Sequence, residues 1–428
     1  MSEDFGRVRI RTSDAESARA QRCSRERVRN WTLAAILSIV AAATWLRVVT
    51  RLPLEIHSPD FSIAYTQSLM LRQGHDPYVL DMTSFAEPLG FNVHPIRHAV
   101  DAPSMIALFE LITLFRPATG YWIWFAVNIG LLLAAMAMLL DRVEYGPRTP
   151  EFWIAAALIL LYPPVWCNFL WAQTQVLALF LLVSAAMMIK RGSDSSAAAL
   201  VAIAGCLRIY PFAAMGFFLV KRNWNALAIA AAIAGAITGL TIAIVGIHPY
   251  FTYFRGLSYT LAVTEGNASL AAFAARMVAW PPLRGVLTAA ADLGILCLAI
   301  WPTFRSDRSR SFILWIVTAV ALSPIVWIHY FVLLLIPFSE ILFGVWGADS
   351  RAGAIAAAAN YLAIMLVVAN EAHAAGMSSR STIDLHVIRD GLFAALVLGY
   401  VATWQLANRD RRRGSETEAR KYDEALPA

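Results

Sequence analysis

The sequence predicts an all-α polytopic membrane protein, a bundle of about twelve transmembrane helices whose long first extracytoplasmic loop carries surface helices. Apolar residues make up 59% of the 428 residues and charged residues only 15%, whereas charged residues approach a quarter of a soluble domain. Apolar runs long enough to cross about 30 Å of hydrocarbon recur along the whole chain. The net charge of +6 does not indicate nucleic-acid binding, because its Lys and Arg residues cluster in short loops and in both tails.

The spans are predicted from hydropathy, beginning at residues 31–49. Residues 1–30, rich in Arg and Ser, are predicted to be a disordered cytoplasmic tail, residues 31–408 the integral membrane domain, and residues 409–428 a second cytoplasmic tail. The first span is too long for a cleaved signal and lacks a small-residue cleavage site, so we expect it to be retained. The other spans are predicted at roughly 119–140, 152–170, 173–189, 197–208, 211–221, 224–246, 283–302, 311–323, 328–346, 353–369 and 391–407.

The basic residues set the predicted orientation. With both termini in the cytoplasm, the clusters around residues 142–148, 190–191, 221–222, 305–310, 351 and 409–413 all fall on the cytoplasmic side. This orientation requires that residues 102–115 do not cross. Their apolar pattern, which includes Glu110, is better explained by a helix on or just under the outer surface. The alternative, a crossing helix, would invert several basic loops. Residues 50–118 are then a long extracytoplasmic loop.

Polar groups from several loops converge on the predicted outer face, where ionisable residues at the ends of spans mark a cavity by default. Asp60 could act as a general base at the membrane boundary, or it could simply cap a helix N-terminus. Arg208 could bind a phosphate, or it could anchor the end of its span by snorkelling. His329 could carry a proton, donate to a phosphate, or be a satisfied interior histidine.

Weaker candidates for contacts with a sugar or phosphate are Gln173, Gln175, Asn267 and Arg276, although polar residues are common in turns. Tyr78 joins them as a residue that packs the turn of the first loop. We predict neither a metal nor a cofactor. The histidines of the first loop have irregular spacings that match no ligand motif, at His57, His75, His94 and His98. The cysteines are scattered, at Cys23, Cys167, Cys206 and Cys297.

Five blocks of sequence, in order and on one predicted face, resemble glycosyltransferase family 87, within the lipid-linked-sugar transferases of the GT-C fold. Its best-known members are actinobacterial mannosyltransferases that use polyprenyl-phosphate-mannose. A further element of the family, Tyr-Pro-Pro, is altered here to Asp101-Ala102-Pro103. One of the five blocks is Ala172-Gln173-Thr174-Gln175, which stands for Gly-Gln-x-Asn with two departures. The other blocks are Asp60-Phe61 with Tyr65, Gly74 and Asp76-Pro77-Tyr78; Arg208 with Pro211; Gly266-Asn267-Ala268-Ser269-Leu270 with Arg276; and Ser323-Pro324-Ile325-Val326-Trp327-Ile328-His329-Tyr330.

The resemblance implies a GT-C-type bundle in a bacterial cytoplasmic membrane with its active site outside. It implies inverting transfer of a hexose, mannose in the best-known members, from a polyprenyl-phosphate-sugar to a hydroxyl of a glycolipid or glycan, with Asp60 as base. Transfer of this kind needs a base, donors or cations that hold the departing phosphate, and a groove for the lipid tail. Position 62 is a serine, so Asp60 has no second aspartate two residues on with which to hold a metal.

Two other functions use the same features. A transporter or flippase of a lipid-linked sugar would use the basic and aromatic groups for passage, with sites near the bilayer midplane at the junction of repeats. The sequence shows no internal repeat of that kind. A scaffold subunit of an envelope-assembly complex would have only membrane lipids and proteins as partners, and no nucleic acid is expected in any of the three cases.

Overall fold

A computed structural model describes residues 4–55, 59–91, 93, 98–99, 101–141, 146–260, 267–344, 351–375 and 382–408. These residues form helices and their connections, with no strand among them. The α-helices are α1 (Asp4–Glu55), α2 (Pro59–Arg72), α3 (Thr83–Ala86), α4 (Pro103–Thr113), α5 (Pro117–Asp141), α6 (Pro150–Leu161), α7 (Pro163–Leu170), α8 (Gln175–Lys190), α9 (Asp194–Leu207), α10 (Gly216–Val220), α11 (Trp224–Val245), α12 (His248–Thr260), α13 (Leu270–Met277), α14 (Pro281–Thr303), α15 (Arg308–Ala321), α16 (Leu335–Gly344), α17 (Arg351–Ala375) and α18 (Thr382–Ala407). Short 3-10 helices occupy Glu87–Leu89, Tyr210–Met215 and Ile328–Leu334.

Four helices of the described ranges are long and apolar enough to cross a membrane, namely residues 24–53 of α1 together with α5, α11 and α14. The pair α6 and α7 is a fifth candidate, bent by 49° at Tyr162. Tyr162 has an extended backbone (φ −66°, ψ 116°) because the residue before Pro163 avoids the helical region.

The remaining predicted spans also coincide with helices. Those at 173–189, 197–208, 211–221, 328–346, 353–369 and 391–407 contain apolar helical segments of 10–17 residues. The span predicted at 311–323 lies on α15, in which every residue from Ser311 to Ala321 is buried. The chain is therefore an all-helical polytopic membrane protein, whereas the total of twelve crossings stays a prediction.

The first span starts further upstream than its hydropathy suggests. α1 begins at Asp4, so its helix continues into the segment that the sequence predicts to be a disordered tail. No Gly or Pro lies between Arg7 and Leu52, and only these two residues are strongly unfavourable inside a helix. Residue 30 thus marks a change in composition and not a break in secondary structure. The predicted C-terminal tail lies outside the described residues.

The first loop folds back on the bundle through aromatic packing. The buried ring of Phe61 in α2 contacts Phe109 of α4 and Tyr121 of α5, with ring centroids 6.2 and 5.1 Å away. The Tyr65 hydroxyl donates to the Phe115 carbonyl at 2.7 Å, and Arg72 Nη1 donates to the Thr113 carbonyl at 2.6 Å. These contacts fix α2, and with it the Asp60 carboxylate of its first turn, against α4 and the start of α5.

α4 is the helix that the topology requires not to cross. Its eleven residues extend about 16 Å at about 1.5 Å each, roughly half of the hydrocarbon thickness. One face of α4 is buried through Met105, Ile106 and Phe109, while Leu111 and Leu114 are exposed. A short helix with one buried and one apolar exposed face favours the surface position, which stays a prediction.

Replacing Phe61 by Ala tests this attachment of the first loop. Removing a fully buried phenylalanine costs about 3–5 kcal/mol, so the thermal midpoint of the detergent-solubilised protein should fall clearly. Leu111→Ala is the matched control, because that side chain is 60% exposed and its loss should leave the midpoint nearly unchanged. Equal midpoints for the two variants would contradict the packing described here.

Candidate functional site

The side chain of Arg208 lies at the centre of a polar cluster. α9 ends at Leu207, and Arg208 takes an extended backbone (φ −144°, ψ 114°) before the 3-10 helix that contains Pro211. Its Nη1 lies 2.8 Å from Asp101 Oδ1, and its Nε donates to Thr174 Oγ1 at 2.8 Å. The Arg208 and Asp101 side chains are 17% and 12% exposed, so the pair is largely shielded from solvent.

Asp101 attaches the first loop to this arginine. Gln67 Nε2 of α2 donates to Asp101 Oδ2 at 2.6 Å, and the Tyr78 hydroxyl donates to the Asp101 carbonyl at 2.5 Å. Both side-chain oxygens of Asp101 and its carbonyl therefore accept hydrogen bonds, which fixes the carboxylate. We call Arg208, Asp101, Thr174, Gln67 and Tyr78 the arginine cluster.

The tyrosines around Asp101 keep their protons at physiological pH. Burial, reinforced by the negative charge of Asp101, raises the pKa of Tyr78 well above its usual value. The same two causes raise the pKa of Tyr253 to about 12. The two rings pack 5.7 Å apart. These phenols are therefore hydrogen-bond donors and not anions beside the carboxylate.

Asp60 lies in the first turn of α2 and is half-buried. The helix is described from Pro59, so Asp60 lies inside its first turn, where its charge favours the positive N-terminal end. Gln67 follows seven residues later, which places the two side chains on one face of α2 about 10 Å apart along the axis. The carboxylate therefore shares the face of α2 that reaches Asp101.

Gln173 and Gln175 belong to the turn between α7 and α8. Gln173 Oε1 lies 3.5 Å from Arg208 Nη2, at the outer limit of a hydrogen bond, and Gln175 Oε1 accepts the Tyr210 hydroxyl at 2.6 Å. The preceding Ala172 has φ of 50°, in the left-handed region that favours glycine. The motif that this turn resembles has glycine there, and the geometry explains why.

His329 is buried, with 6% of its surface exposed, at the start of the 3-10 helix Ile328–Leu334. Its ring lies 6.1 Å from that of Trp171 and 5.1 Å from that of Tyr330, which packs 5.0 Å from Tyr210. Its Nδ1 has no hydrogen-bond partner within the described part of the chain. The described residues therefore leave this nitrogen unsatisfied, and the role of His329 stays a prediction.

Asn267 and Arg276 lie in a different set of contacts. Asn267 Oδ1 accepts from the Ser269 and Val326 amides at 3.0 and 2.9 Å, and its Nδ2 donates to the Pro324 carbonyl at 3.2 Å. Arg276 Nη1 donates to the Asn267 carbonyl at 3.0 Å. Asn267 thus holds the turn that precedes His329, and a contact of either residue with substrate stays a prediction.

Residues 102–328, just over half of the chain, match the model described as Glycosyltransferase family 87. The chain belongs to glycosyltransferase family 87. No curated protein matches it. Membership makes this protein a membrane glycosyltransferase, as the resemblance of its motifs implies.

The matched segment of this family 87 glycosyltransferase contains five of the predicted site residues, Gln173, Gln175, Arg208, Asn267 and Arg276. It begins one residue after Asp101 and ends one residue before His329, and Asp60 and Tyr78 precede it. The family is therefore assigned from the bundle, and the role of each side chain stays a prediction.

Of the partners of Arg208, sequence reasoning identifies Gln173 as a site residue and misses Thr174 and Asp101, the latter appearing only as a departure from the family's motif. It also misses Gln67 and Tyr210, which bond to Asp101 and Gln175. One feature of the sequence could have indicated Asp101. Its carboxylate lies two residues before the apolar helix that begins at Pro103, and a charged group that is buried there needs a partner. Residues 101 and 208 are far apart in sequence, so no spacing rule joins them.

Two further features of the described residues lie away from the arginine cluster. A cavity of about 800 Å³ opens where α9, α11 and α15 begin, around Asp194, Asn223 and Arg308. It contains none of the predicted site residues, and it lies among the basic loops that the topology places in the cytoplasm. No group of three His, Cys, Asp or Glu side chains in the described ranges could hold a metal. His57 and His94 lie outside those ranges.

Replacing Tyr78 by Phe tests the bond to the Asp101 carbonyl. A single hydrogen bond of this kind contributes about 1 kcal/mol, so the variant should melt at a lower temperature than the parent protein. Tyr253→Phe is the control, because its ring packs beside Tyr78 and its hydroxyl makes no hydrogen bond to a described residue. An equally large fall in the melting temperature of Tyr253→Phe would show that the hydrogen bond of the Tyr78 hydroxyl makes no specific contribution to stability.

Proposed function

We propose that this chain transfers a hexose, mannose in the first instance, from a polyprenyl-phosphate-sugar to a hydroxyl of a glycolipid or glycan. The reaction takes place at the outer face of a bacterial cytoplasmic membrane, and both termini are cytoplasmic. The observation that carries the proposal is the arginine cluster, which puts a shielded guanidinium beside the face of α2 that contains Asp60. Membership of a glycosyltransferase family favours this activity over transport of the same lipid-linked sugar.

The transfer breaks the bond between the sugar C1 and the phosphate oxygen and forms a bond from C1 to the acceptor oxygen. Asp60 takes the proton of the acceptor hydroxyl, and the polyprenyl phosphate leaves with the electrons of the broken bond. Displacement in one step inverts the configuration at C1, so a β-linked donor gives an α-linked product.

Arg208 is assigned to the phosphate. A guanidinium has five N–H groups, and three acceptors of the protein share those of Arg208. N–H groups of Nη1 and Nη2 remain for phosphate oxygens, and Arg suits them in geometry and charge. Nδ1 of His329, buried and unpaired within the described residues, is assigned to the same phosphate or to the proton that moves.

The other predicted residues surround these groups. Gln173 and Gln175 are assigned to the sugar or phosphate, and Tyr78 to the wall of the site. Asn267 and Arg276 hold the turn before His329 and, like the two glutamines, are assigned to the sugar or phosphate. No metal is assigned, since a phosphodiester carries only a single charge, for which the remaining N–H groups of Arg208 provide donors, and Ser62 leaves Asp60 without a neighbouring carboxylate for a cation.

Replacing Asp60 by Asn or Ala should lower sugar transfer by about 100-fold or more, the usual contribution of a general base. The measurement is incubation of the purified protein with radiolabelled polyprenyl-phosphate-mannose and a lipid extract, followed by separation of glycolipids. Asp81→Asn is the control, because Asp81 is an exposed carboxylate of the same loop.

The folded state of each variant is checked by its thermal midpoint. Undiminished transfer by a folded Asp60→Ala protein would remove Asp60 as the base. Movement of label across proteoliposome membranes without a new covalent product would favour the transporter instead.

A further inference from the structure

Arg208 is already paired with an anion of the protein. Asp101 Oδ1 lies 2.8 Å from its Nη1, and the carboxylate cannot readily turn away, because Gln67 and Tyr78 hold its Oδ2 and its carbonyl. A phosphate that binds the remaining N–H groups of the same guanidinium would lie a few ångströms from this carboxylate. The proposed function, on which this inference rests, therefore puts two anions on one cation.

The charge of the phosphate changes during the proposed reaction. The donor is a phosphodiester with one negative charge. The departing polyprenyl phosphate is a monoester, which carries nearly two charges at neutral pH because its second pKa is about 6. Arg208 and Asp101 together have no net charge, so the doubly charged product is repelled by Asp101 more strongly than the donor is.

We propose that Asp101 is a positioning residue that sets the charge of the phosphate site. It orients the guanidinium of Arg208 and makes the site selective for a singly charged phosphodiester. Doubly charged lipid monophosphates and lipid diphosphates bind less tightly than the donor. The polyprenyl phosphate product is therefore released after transfer. Neither the family match, which begins at residue 102, nor the motifs of the first loop assign this role.

A purely structural ion pair makes a different prediction. If Asp101 only held Arg208 in place, its loss would weaken donor and product together. If it also sets the charge, its neutralisation should improve binding of the more highly charged ligand relative to the donor. The ratio of the two affinities therefore separates the roles, whatever happens to overall activity.

Asp101→Asn is a close isostere for this test. The Asn Oδ1 can still accept from Arg208 Nη1. The new amide nitrogen would face the side chain of Gln67. A rotation of the Gln67 amide by about 180° would bring its Oε1, which has no hydrogen-bond partner in the described ranges, to accept from that nitrogen. The substitution can thus keep the hydrogen bonds and remove the charge. Asp76→Asn is the matched control, because Asp76 lies in the same loop as Asp101 but pairs with His248 of α12 and does not contact Arg208.

The experiment measures the KM of polyprenyl-phosphate-mannose and the inhibition constants of polyprenyl phosphate and polyprenyl diphosphate. In Asp101→Asn, the ratio of each inhibition constant to the donor KM should fall by about tenfold or more, because one negative charge a few ångströms from the phosphate has been removed. The ratios should stay unchanged in Asp76→Asn. Unchanged ratios in Asp101→Asn, or equal weakening of all three ligands, would overturn the inference.

A second measurement needs no variant. In the parent protein, a singly charged polyprenyl methyl phosphate should compete with the donor better than polyprenyl phosphate does at about pH 8. The difference should shrink toward about pH 5.5, below the second pKa of the monoester, because the dianion there takes up one proton and becomes singly charged. Equal inhibition across this range would overturn the inference, while absence of transfer from polyprenyl-phosphate-mannose by the parent protein would overturn the proposed function and the inference with it.

Discussion

The ion pair between Arg208 and Asp101 joins the two halves of the site. Arg208 ends a helix of the bundle, and Asp101 belongs to the long loop that packs over it. Shielding two charges from water is expensive, and removing one partner of such a pair commonly costs about 3–5 kcal/mol. The pair is therefore stable only while the first loop stays docked. The attachment of α2 and the position of the guanidinium consequently depend on each other.

This dependence explains how a carboxylate in a loop can be held accurately. α2 is fixed at one end by the ring of Phe61 against Phe109 and Tyr121. Two turns along, Gln67 fixes it through Asp101. A helix held at two points has little freedom to rotate, so the direction of Asp60 follows from contacts that Asp60 does not itself make. Rigid support of this kind is what a base needs, since proton transfer depends on distance.

The sequence predicted the features that depend on neighbouring residues along the chain. It missed those that depend on contacts between distant segments. Hydropathy located α5, α11 and α14 to within two residues, because a spanning helix must be apolar along its own length. The bend at Tyr162 could have been predicted from Pro163-Pro164. Motif resemblance selected Arg208 and His329. The partner of Arg208 could not be predicted, because the docking of the loop, and no property of residues 101 or 208, brings them together.

The irregular backbone in the bundle has a similar origin. Two of its apolar segments contain 3-10 helices in place of regular α-helix, at Tyr210–Met215 and Ile328–Leu334. Irregular backbone at membrane depth is tolerated only where protein or a cavity surrounds it, and both segments are largely buried. Each follows or contains a proline of a predicted motif, Pro211 in one and Pro324 before the other.

The two irregular segments meet through the rings of Tyr210 and Tyr330, 5.0 Å apart. Next to these rings lie two polar side chains of the predicted site, Arg208 and His329. A regular α-helix would have continued past each position and pointed these side chains outward at the helical spacing. The two breaks instead leave Arg208 and His329 beside one tilted pair of tyrosine rings. The departures from regular structure thus bring a cation and an imidazole from distant parts of the chain to one pair of tyrosine rings.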